Sequence, residues 1–317
     1  MRAQHERRAP SAHAVDTGGR LPTTCFFGGS LDGPGALALN LGAVPPTQFQ
    51  ARLVENRALT GGYFVLELEI EGASPGRSPL ASITPGQFVM LRGEWGRELL
   101  NPRAFSILDA DADGRFSVML KAYGRGTRRM AAMRPGDPMT VTGPLGRGFA
   151  PPPGPSDARQ ILVAGGVGLP PLHLQARRAA ALGRADRIEL LYGGRDAEDL
   201  VMLDDFDRWN VRASLATEDG SRGHTGFVTV PLLERVLEAA RTGEELLVLA
   251  CGPTPMLRAV RRLVVEHGVP AQLCLEEEMA CGFGVCLGCA VPVHGSQPYR
   301  YCCTDGPVFD ATEVRWS

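Results

Sequence analysis

A multidomain chain is the fold class this sequence predicts: an antiparallel β-barrel, an α/β domain on a parallel sheet, and a small cysteine-rich C-terminal domain. Three observations predict it. Between residues 49 and 150, short β-rich segments are separated by Gly/Pro turns, the pattern of a small antiparallel barrel. Between 156 and 271 the periodicity alternates between strand and helix, which argues a parallel sheet with helices on its faces. Five of the eight cysteines then fall between Cys281 and Cys303, in a last segment spanning 272–317.

Composition agrees with this plan and removes other classes. A chain of 317 residues that is 44% hydrophobic has material for two or three cores, and its 39 glycines and 25 prolines suit short turns better than long helices. A net charge of −2 gives no sign of nucleic-acid binding, and the longest apolar run, near residues 246–250, is far too short to span a bilayer. Cysteines gathered at one end do not form a disulfide framework, so a reducing, cytoplasmic setting is expected.

Residues 1–48 are rich in Ala, Gly, Pro, Arg and Thr, carry few acids and show no sustained period, and are expected to be a disordered N-terminal extension. The arginines lack the amphipathic helix of a transit peptide and the apolar stretch of a secretory signal. An alternative is a mis-assigned start, with structure opening near Val44.

Barrel strands are expected at 50–55, 63–70, 87–92, 115–121 and 138–143, with another carrying Arg103, Ala104, Phe105 and Ser106. Gly124 to Thr127 opens a short helical stretch at 128–133, and a glycine turn feeding a helix is a ready phosphate site. Arg103 and Ser106 resemble the Arg-x-x-Ser element of the ferredoxin-reductase superfamily. That resemblance implies that Arg103 grips an FAD pyrophosphate, that Ser106 stands by the isoalloxazine, that the strand Met119, Leu120, Lys121 lies along the flavin, and that Gly126 and Thr127 bind phosphate. Arginine suits the role because its planar fork bonds phosphate oxygens bidentately. The superfamily's usual proline after the arginine is replaced by Ala104, which removes a φ constraint and no phosphate ligand. The segment Gly143 to Phe149 then closes the barrel, and the proline run at 151–155 is a stiff linker.

The α/β domain is expected to run strand 160–164, helix 172–182, strand 187–192, strand 211–217, helix 231–241, strand 246–250, helix 254–267. Nucleotide binds at the carboxyl ends of such strands. Gly165, Gly166 and Gly168 follow the first strand there, although the Gly-x-Gly-x-x-Gly fingerprint is missing and a plain tight turn is the alternative. In relatives with this pattern, Cys251, Gly252 and Pro253 lie beside the nicotinamide of NAD, which makes Cys251 a pocket residue instead of a nucleophile. NAD and NADP are not separated on chemistry alone, since Arg195 is placed to reach a 2′-phosphate or to be a surface residue. His173 and His267 read as structural, and His224 as a loop residue.

Cys281, Cys286 and Cys289 follow the Cys-x4-Cys-x2-Cys spacing of plant-type [2Fe-2S] proteins. Gly282, Gly284 and Gly288 supply the positive φ angles needed to wrap a chain round a cluster. A zinc site fits less well, because zinc knuckles prefer paired Cys-x2–4-Cys units. The fourth ligand is Cys302 or Cys303, and adjacent residues of an extended segment face opposite ways.

The run Glu278-x-x-Cys-Gly-x-Gly-x-Cys-x-x-Cys, with Cys303 to Phe309 after it, resembles the tail of the electron-transfer subunits of two-subunit, NAD-dependent dihydroorotate dehydrogenases. The likeness covers about residues 49–309, with the motifs in the family's order. It implies Cys303 as the fourth metal ligand and a separate FMN-containing catalytic subunit, two copies of each chain assembling as a heterotetramer. No catalytic residue for dihydroorotate is expected in this chain. A diaphorase subunit of a hydrogenase, sulfide dehydrogenase or ferredoxin:NAD(P) reductase shares the flavin and nicotinamide motifs, and a metal-stabilised redox sensor is the non-enzymatic alternative.

Overall fold

The computed structural model describes residues 47–316 except Pro75, Arg97, Glu98, Leu100 and 152–157. The expectations for 1–46 and for most of the proline linker lie outside the described residues. Residues 47 and 48, assigned above to the extension, already belong to a strand.

Strands β1 (Thr47–Ala58), β2 (Tyr63–Ile70), β3 (Phe88–Gly93), β4 (Arg103–Ala110) and β5 (Arg115–Lys121), the short helix α1 (Arg125–Ala131) and β6 (Pro138–Leu145) form the first body. Its six strands close into a barrel in the order β1-β2-β5-β4-β3-β6. Alternation along the strands builds it. Leu66, Leu68 and Ile70 of β2 point inward with Val118 and Leu120 of β5, whereas Tyr63, Val65 and Met119, one residue out of phase, face outward.

The second body follows as β7 (Arg159–Gly165), α2 (Leu169–Ala181), β8 (Ile188–Gly194), α3 (Leu203–Arg208), β9 (Arg212–Thr217), β10 (His224–Thr225), α4 (Thr229–Thr242), β11 (Leu246–Cys251), α5 (Thr254–Glu266) and β12 (Ala271–Cys274). The segment after it adds β13 (Ala290–Pro292), β14 (Tyr299–Tyr301) and β15 (Val308–Asp310). The sheet order is β10-β9-β8-β7-β11-β12-β15, parallel except for β15, which pairs antiparallel with β12. The boundary expected at 271/272 therefore falls inside β12, and the cysteine-rich segment is stitched to the nucleotide sheet by its own edge strand. Helix α2 begins three residues before the expected start because Pro170 and Pro171 sit in its first turn, where no backbone donor is needed.

The period of two divides the sheet between two cores. Ile161 and Val163 of β7 pack with α4, α5 and the cysteine segment, while Leu162 and Ala164 pack with α2 and with the outward barrel residues Tyr63, Val65, Leu108 and Met119. Barrel and sheet thus share one apolar core.

An ion network lies beneath the sheet. Glu189 of β8 is 5% exposed and accepts from Arg235 Nε of α4 at 3.2 Å. Arg235 also pairs with Glu244, which accepts from Arg159 Nε at 2.7 Å. Without Arg235, buried Glu189 would keep only the longer contact with the exposed Arg212 at 3.8 Å, a poor substitute for a buried partner. Arg235→Ala is therefore expected to lower stability by about 3 kcal/mol, read as a clear drop in the thermal unfolding midpoint at unchanged secondary structure. A midpoint equal to the parent's would show that Glu189 is satisfied without Arg235.

Candidate functional site

The candidate site has three loci. The first is a break in the barrel. Strand β4 pairs with β5 only from Ile107 onward, through Ile107–Val118, Asp109–Ser117 and Ala110–Phe116. Arg103, Ala104, Phe105 and Ser106 pair only with β3, and Met119, Leu120 and Lys121 pair only with β2. The facing edges of β4 and β5 therefore part along these residues and leave a slot rimmed by backbone polar groups. Arg103 and Gly126 meet at its end: a β-carbon on Gly126 would fall 1.8 Å from Arg103 Nε. Thr127 Oγ1 accepts from Gly124 N at 3.0 Å and fixes the turn before α1. The guanidinium of Arg103 lies 5.8 Å from the Trp95 ring centroid and donates to Asn101 O at 3.1 Å. Among the described residues no carboxylate pairs with it, so its charge is free for phosphate. Unpaired backbone groups of β4 and β5 beside a guanidinium with no described carboxylate partner are the chemistry a flat hydrogen-bonding ring with a diphosphate tail requires.

The second locus is at the carboxyl ends of adjacent parallel strands β7 and β11, where Ala164 is the register partner of Cys251. Two glycine turns are pressed together there. A β-carbon on Gly168 would fall 2.2 Å from Cys251 O, and one on Gly252 would fall 2.5 Å from Met256 Cε and 3.1 Å from Gly165 Cα. Gly166 takes φ +52°. The Cys251 thiol is buried, and its hydrogen bond with the Cys274 thiol, together with burial, pushes it well above the ordinary thiol range. A thiol held protonated in this way is a poor nucleophile.

Between these loci stands Asp199, 4% exposed, a residue that reading the sequence missed. Its carboxylate pairs with Lys121 of the barrel, accepts from Tyr63 Oη at 3.3 Å, and accepts from Arg195 Nε at 3.0 Å and Arg195 N at 3.2 Å. Burial alone would raise its pKa, but the bonds from Arg195 and Lys121 outweigh burial and hold it at about 2. Its ion pairs thus add stability above the ordinary carboxylate range near pH 4 that is lost only as the pH falls toward 2. Burial, and the charge of Asp199, push the Tyr63 phenol well above its usual value, so it stays a donor. In sequence Asp199 is one of three acids between Asp196 and Asp199; only the apolar Leu200 and Val201 after it hint that the last of them turns inward.

The third locus is the cysteine loop. Gly282 and Gly284 both adopt φ +85°, as expected, but the third positive φ falls on Leu287 at +59° and not on Gly288. A β-carbon on Gly288 would stand 3.7 Å from Cys286 Sγ, so its role is room beside that sulfur. Cys289 Sγ lies 3.3 Å from Cys303 Sγ, and Gly284 N donates to Cys303 Sγ at 3.2 Å. Cys286 N donates to Cys281 Sγ at 3.4 Å. Burial would raise the Cys281 thiol, yet the backbone N–H groups of Cys286, Phe283 and Val285 bring it down to about 6. Cys302 turns the other way, its Sγ 3.6 Å from Leu275 O in the core, where burial drives its pKa far up. Among the described residues no three such side chains converge at single-ion distances. Cys289 and Cys303 form one close sulfur pair, and the Cys286 amide closes the loop on Cys281 Sγ, so that four thiols are gathered on one loop system as a two-iron cluster needs. This loop sits on the barrel: a β-carbon on Gly282 would fall 2.6 Å from Met90 Cγ, and Met90 is the register partner of Ala104 at the slot.

Residues 276–315 match the family model described as the iron-sulfur cluster binding domain of dihydroorotate dehydrogenase B, and residues 162–262 match the oxidoreductase NAD-binding domain. The chain is 33% identical over 269 residues to the dihydroorotate dehydrogenase B (NAD(+)) electron transfer subunit of Caldanaerobacter subterraneus subsp. tengcongensis, covering 84% of this chain and 98% of that one. The chain belongs to this family. The subunit of the same name from Geobacillus kaustophilus is 36% identical over 232 residues, covering 73% of this chain and 86% of that one. A solved NADH-dependent reduced ferredoxin-NADP oxidoreductase superposes with a TM-score of 0.66 at 27% identity, over 84% of this chain and 89% of that one. As a member of the dihydroorotate dehydrogenase B electron-transfer family, the chain is an oxidoreductase subunit that works with FAD, an iron-sulfur cluster and NAD. Among the described residues no helix is long and apolar enough to cross a membrane.

Proposed function

We propose that this chain carries electrons from an FMN-containing catalytic subunit that oxidises dihydroorotate, through a [2Fe-2S] cluster and FAD, to NAD, in a heterotetramer with two copies of each chain. The observation that carries the reading is the contact of the cysteine loop with Met90, one strand from the open slot at Ala104. The chemistry a bound FAD supplies is conversion between the hydride exchanged with NAD and the single electrons exchanged with the cluster. Arg103, Gly126 and Thr127 would hold its diphosphate, and Ala104, Phe105, Ser106, Met119, Leu120 and Lys121 would line its ring. Gly165, Gly166 and Gly168, with Cys251, Gly252 and Pro253, would receive the dinucleotide from the sheet side. Cys281, Cys286, Cys289 and Cys303 would hold the cluster, and their free thiols suit a reducing cytoplasm.

The outer rim of the cysteine loop fits docking of the catalytic subunit. Phe283, Val285 and Leu287 are 50%, 73% and 52% exposed around the exposed Cys286, an apolar collar at the point where electrons must enter. Val285→Asp is expected to weaken that complex about tenfold or more, since a charge is buried against an apolar partner, while NADH-driven dye reduction stays at the parental rate. Titration of one subunit against the other, followed by dihydroorotate-dependent NAD reduction, measures it.

The reading is tested by mixing the flavin- and iron-loaded chain with the catalytic subunit. Dihydroorotate should then reduce NAD, and either subunit alone should not do so. A chain that passes electrons from NADH to dyes yet never couples to dihydroorotate would belong to another diaphorase complex. A colourless protein would remove the relay altogether.

A further inference from the structure

We propose that Asp199 is a positioning residue for electron exchange between flavin and nicotinamide, setting the distance between the open barrel slot and the dinucleotide loop. The proposal rests on the assignment of those two sites above.

A continuous strut of polar contacts runs through this one residue. On the barrel side its carboxylate holds Lys121, the last residue of the slot edge on β5, and Tyr63, the register partner of Lys121 on β2. The Lys121 ammonium also stands 4.5 Å from the Tyr63 ring centroid, so the three groups form one packed unit. On the nucleotide side the same carboxylate clasps Arg195 through backbone and side chain, and the Asp199 carbonyl accepts from Tyr192 Oη at 3.0 Å. Tyr192 Oη also lies 3.4 Å from Gly166 O, in the glycine turn after β7. Slot edge and dinucleotide turn are therefore joined by Lys121, Asp199, Tyr192 and Gly166 in succession. Neighbouring contacts leave little play. A β-carbon on Gly194 would fall 2.8 Å from Asp199 Cβ, and one on Gly61 would fall 2.7 Å from Glu198 O, which itself accepts from Thr60 Oγ1 at 3.0 Å.

The shared apolar core fixes the two bodies together, but an apolar interface tolerates small slides that a charged clasp of defined geometry does not. Hydride exchange is steep in donor–acceptor distance, and an ångström of misplacement can cost about a hundredfold in rate. Asp199→Asn keeps the shape and the contact with Tyr63 while removing the charge that holds Lys121 and Arg195 together. It is the informative variant, with Asp199→Glu restoring the charge on a longer arm.

The test uses full-length protein loaded with FAD and cluster, in two readouts. In stopped flow, Asp199→Asn should lower the limiting rate of flavin reduction by NADH about tenfold or more, with a smaller change in the NADH concentration giving half the limiting rate, and with parental flavin and iron content. Asp199→Glu should recover part of the loss. In hydrogen exchange without NADH, Asp199→Asn should speed exchange of the amides around Gly166 and Arg195 and leave those of the barrel interior unchanged. A limiting rate within twofold of the parent overturns the proposal. So does parental exchange at Gly166, and so does a rate loss that merely follows loss of flavin or unfolding at the assay temperature in both variants. A parent protein that bound no flavin, or whose flavin NADH did not reduce, would instead sink the site assignment itself, so the two failures are distinguishable.

Discussion

Cys303→Ser is expected to take the iron per chain from about two to near zero and to abolish electron flow to a partner subunit, while Cys302→Ser keeps iron and the reduced-state EPR signal. The two residues are adjacent in the turn that follows β14, and not in the extended segment expected, yet their sulfurs still make different contacts. Cys303 Sγ stands 3.3 Å from Cys289 Sγ and accepts the Gly284 amide, the kind of N–H to sulfur bond that a thiolate ligand uses. Cys302 shares its apolar cluster with Cys289 and Cys303, so burial does not separate the two candidates; the sulfur contact does, because Cys302 Sγ lies 3.6 Å from Leu275 O. Reaching the loop would require it to exchange places with its neighbour. NADH-driven reduction of a small dye should largely survive in Cys303→Ser, because the slot and the dinucleotide turns do not depend on that thiol. Iron analysis and EPR of both variants decide the matter. Iron lost from Cys302→Ser and kept in Cys303→Ser would overturn the assignment.

The second large effect is expected from Arg103→Ala, which should weaken FAD retention about ten- to a hundredfold, the value of a charge-assisted contact of about 1.5–3 kcal/mol, with the cluster unaffected. Arg103 lacks a described carboxylate partner, so its loss removes a phosphate contact without breaking an internal ion pair. Its close packing on Gly126 gives a reciprocal check. Any side chain at 126 must displace the guanidinium, so Gly126→Val should also shed flavin although no charge is lost. Flavin content after dialysis, with iron measured alongside, separates these outcomes. Parental flavin affinity in Arg103→Ala would show that the diphosphate is held elsewhere.

The candidate site could be proposed from the sequence because its signals are local. Arg103 with Ser106, the turn at Gly126 and Thr127, and the Cys281, Cys286, Cys289 spacing each depend on residues a few positions apart, where backbone geometry makes spacing informative. The strands at 63–70 and 115–121 were read to the residue because each is a short β-rich run between clear turns. The short strands β12 to β15 were not anticipated, for they have three or four residues each and no periodicity can build up over that length.

By itself, then, the sequence determined the order of barrel, parallel sheet and cysteine loop, and which residue types could meet phosphate and iron. Periodicity and short spacings are properties of neighbouring residues, and neighbours are what a sequence displays. Only the tertiary structure decided that β4 and β5 part at Arg103 to Ser106, that Leu287 and not Gly288 carries the third positive φ, and that β15 returns to the nucleotide sheet. It alone decided that one of several loop acids, Asp199, is buried between Lys121 and Arg195, 78 and 4 positions away. Such features depend on which distant segments are packed against one another, and on the low-dielectric surroundings that make a buried carboxylate costly unless cations meet it.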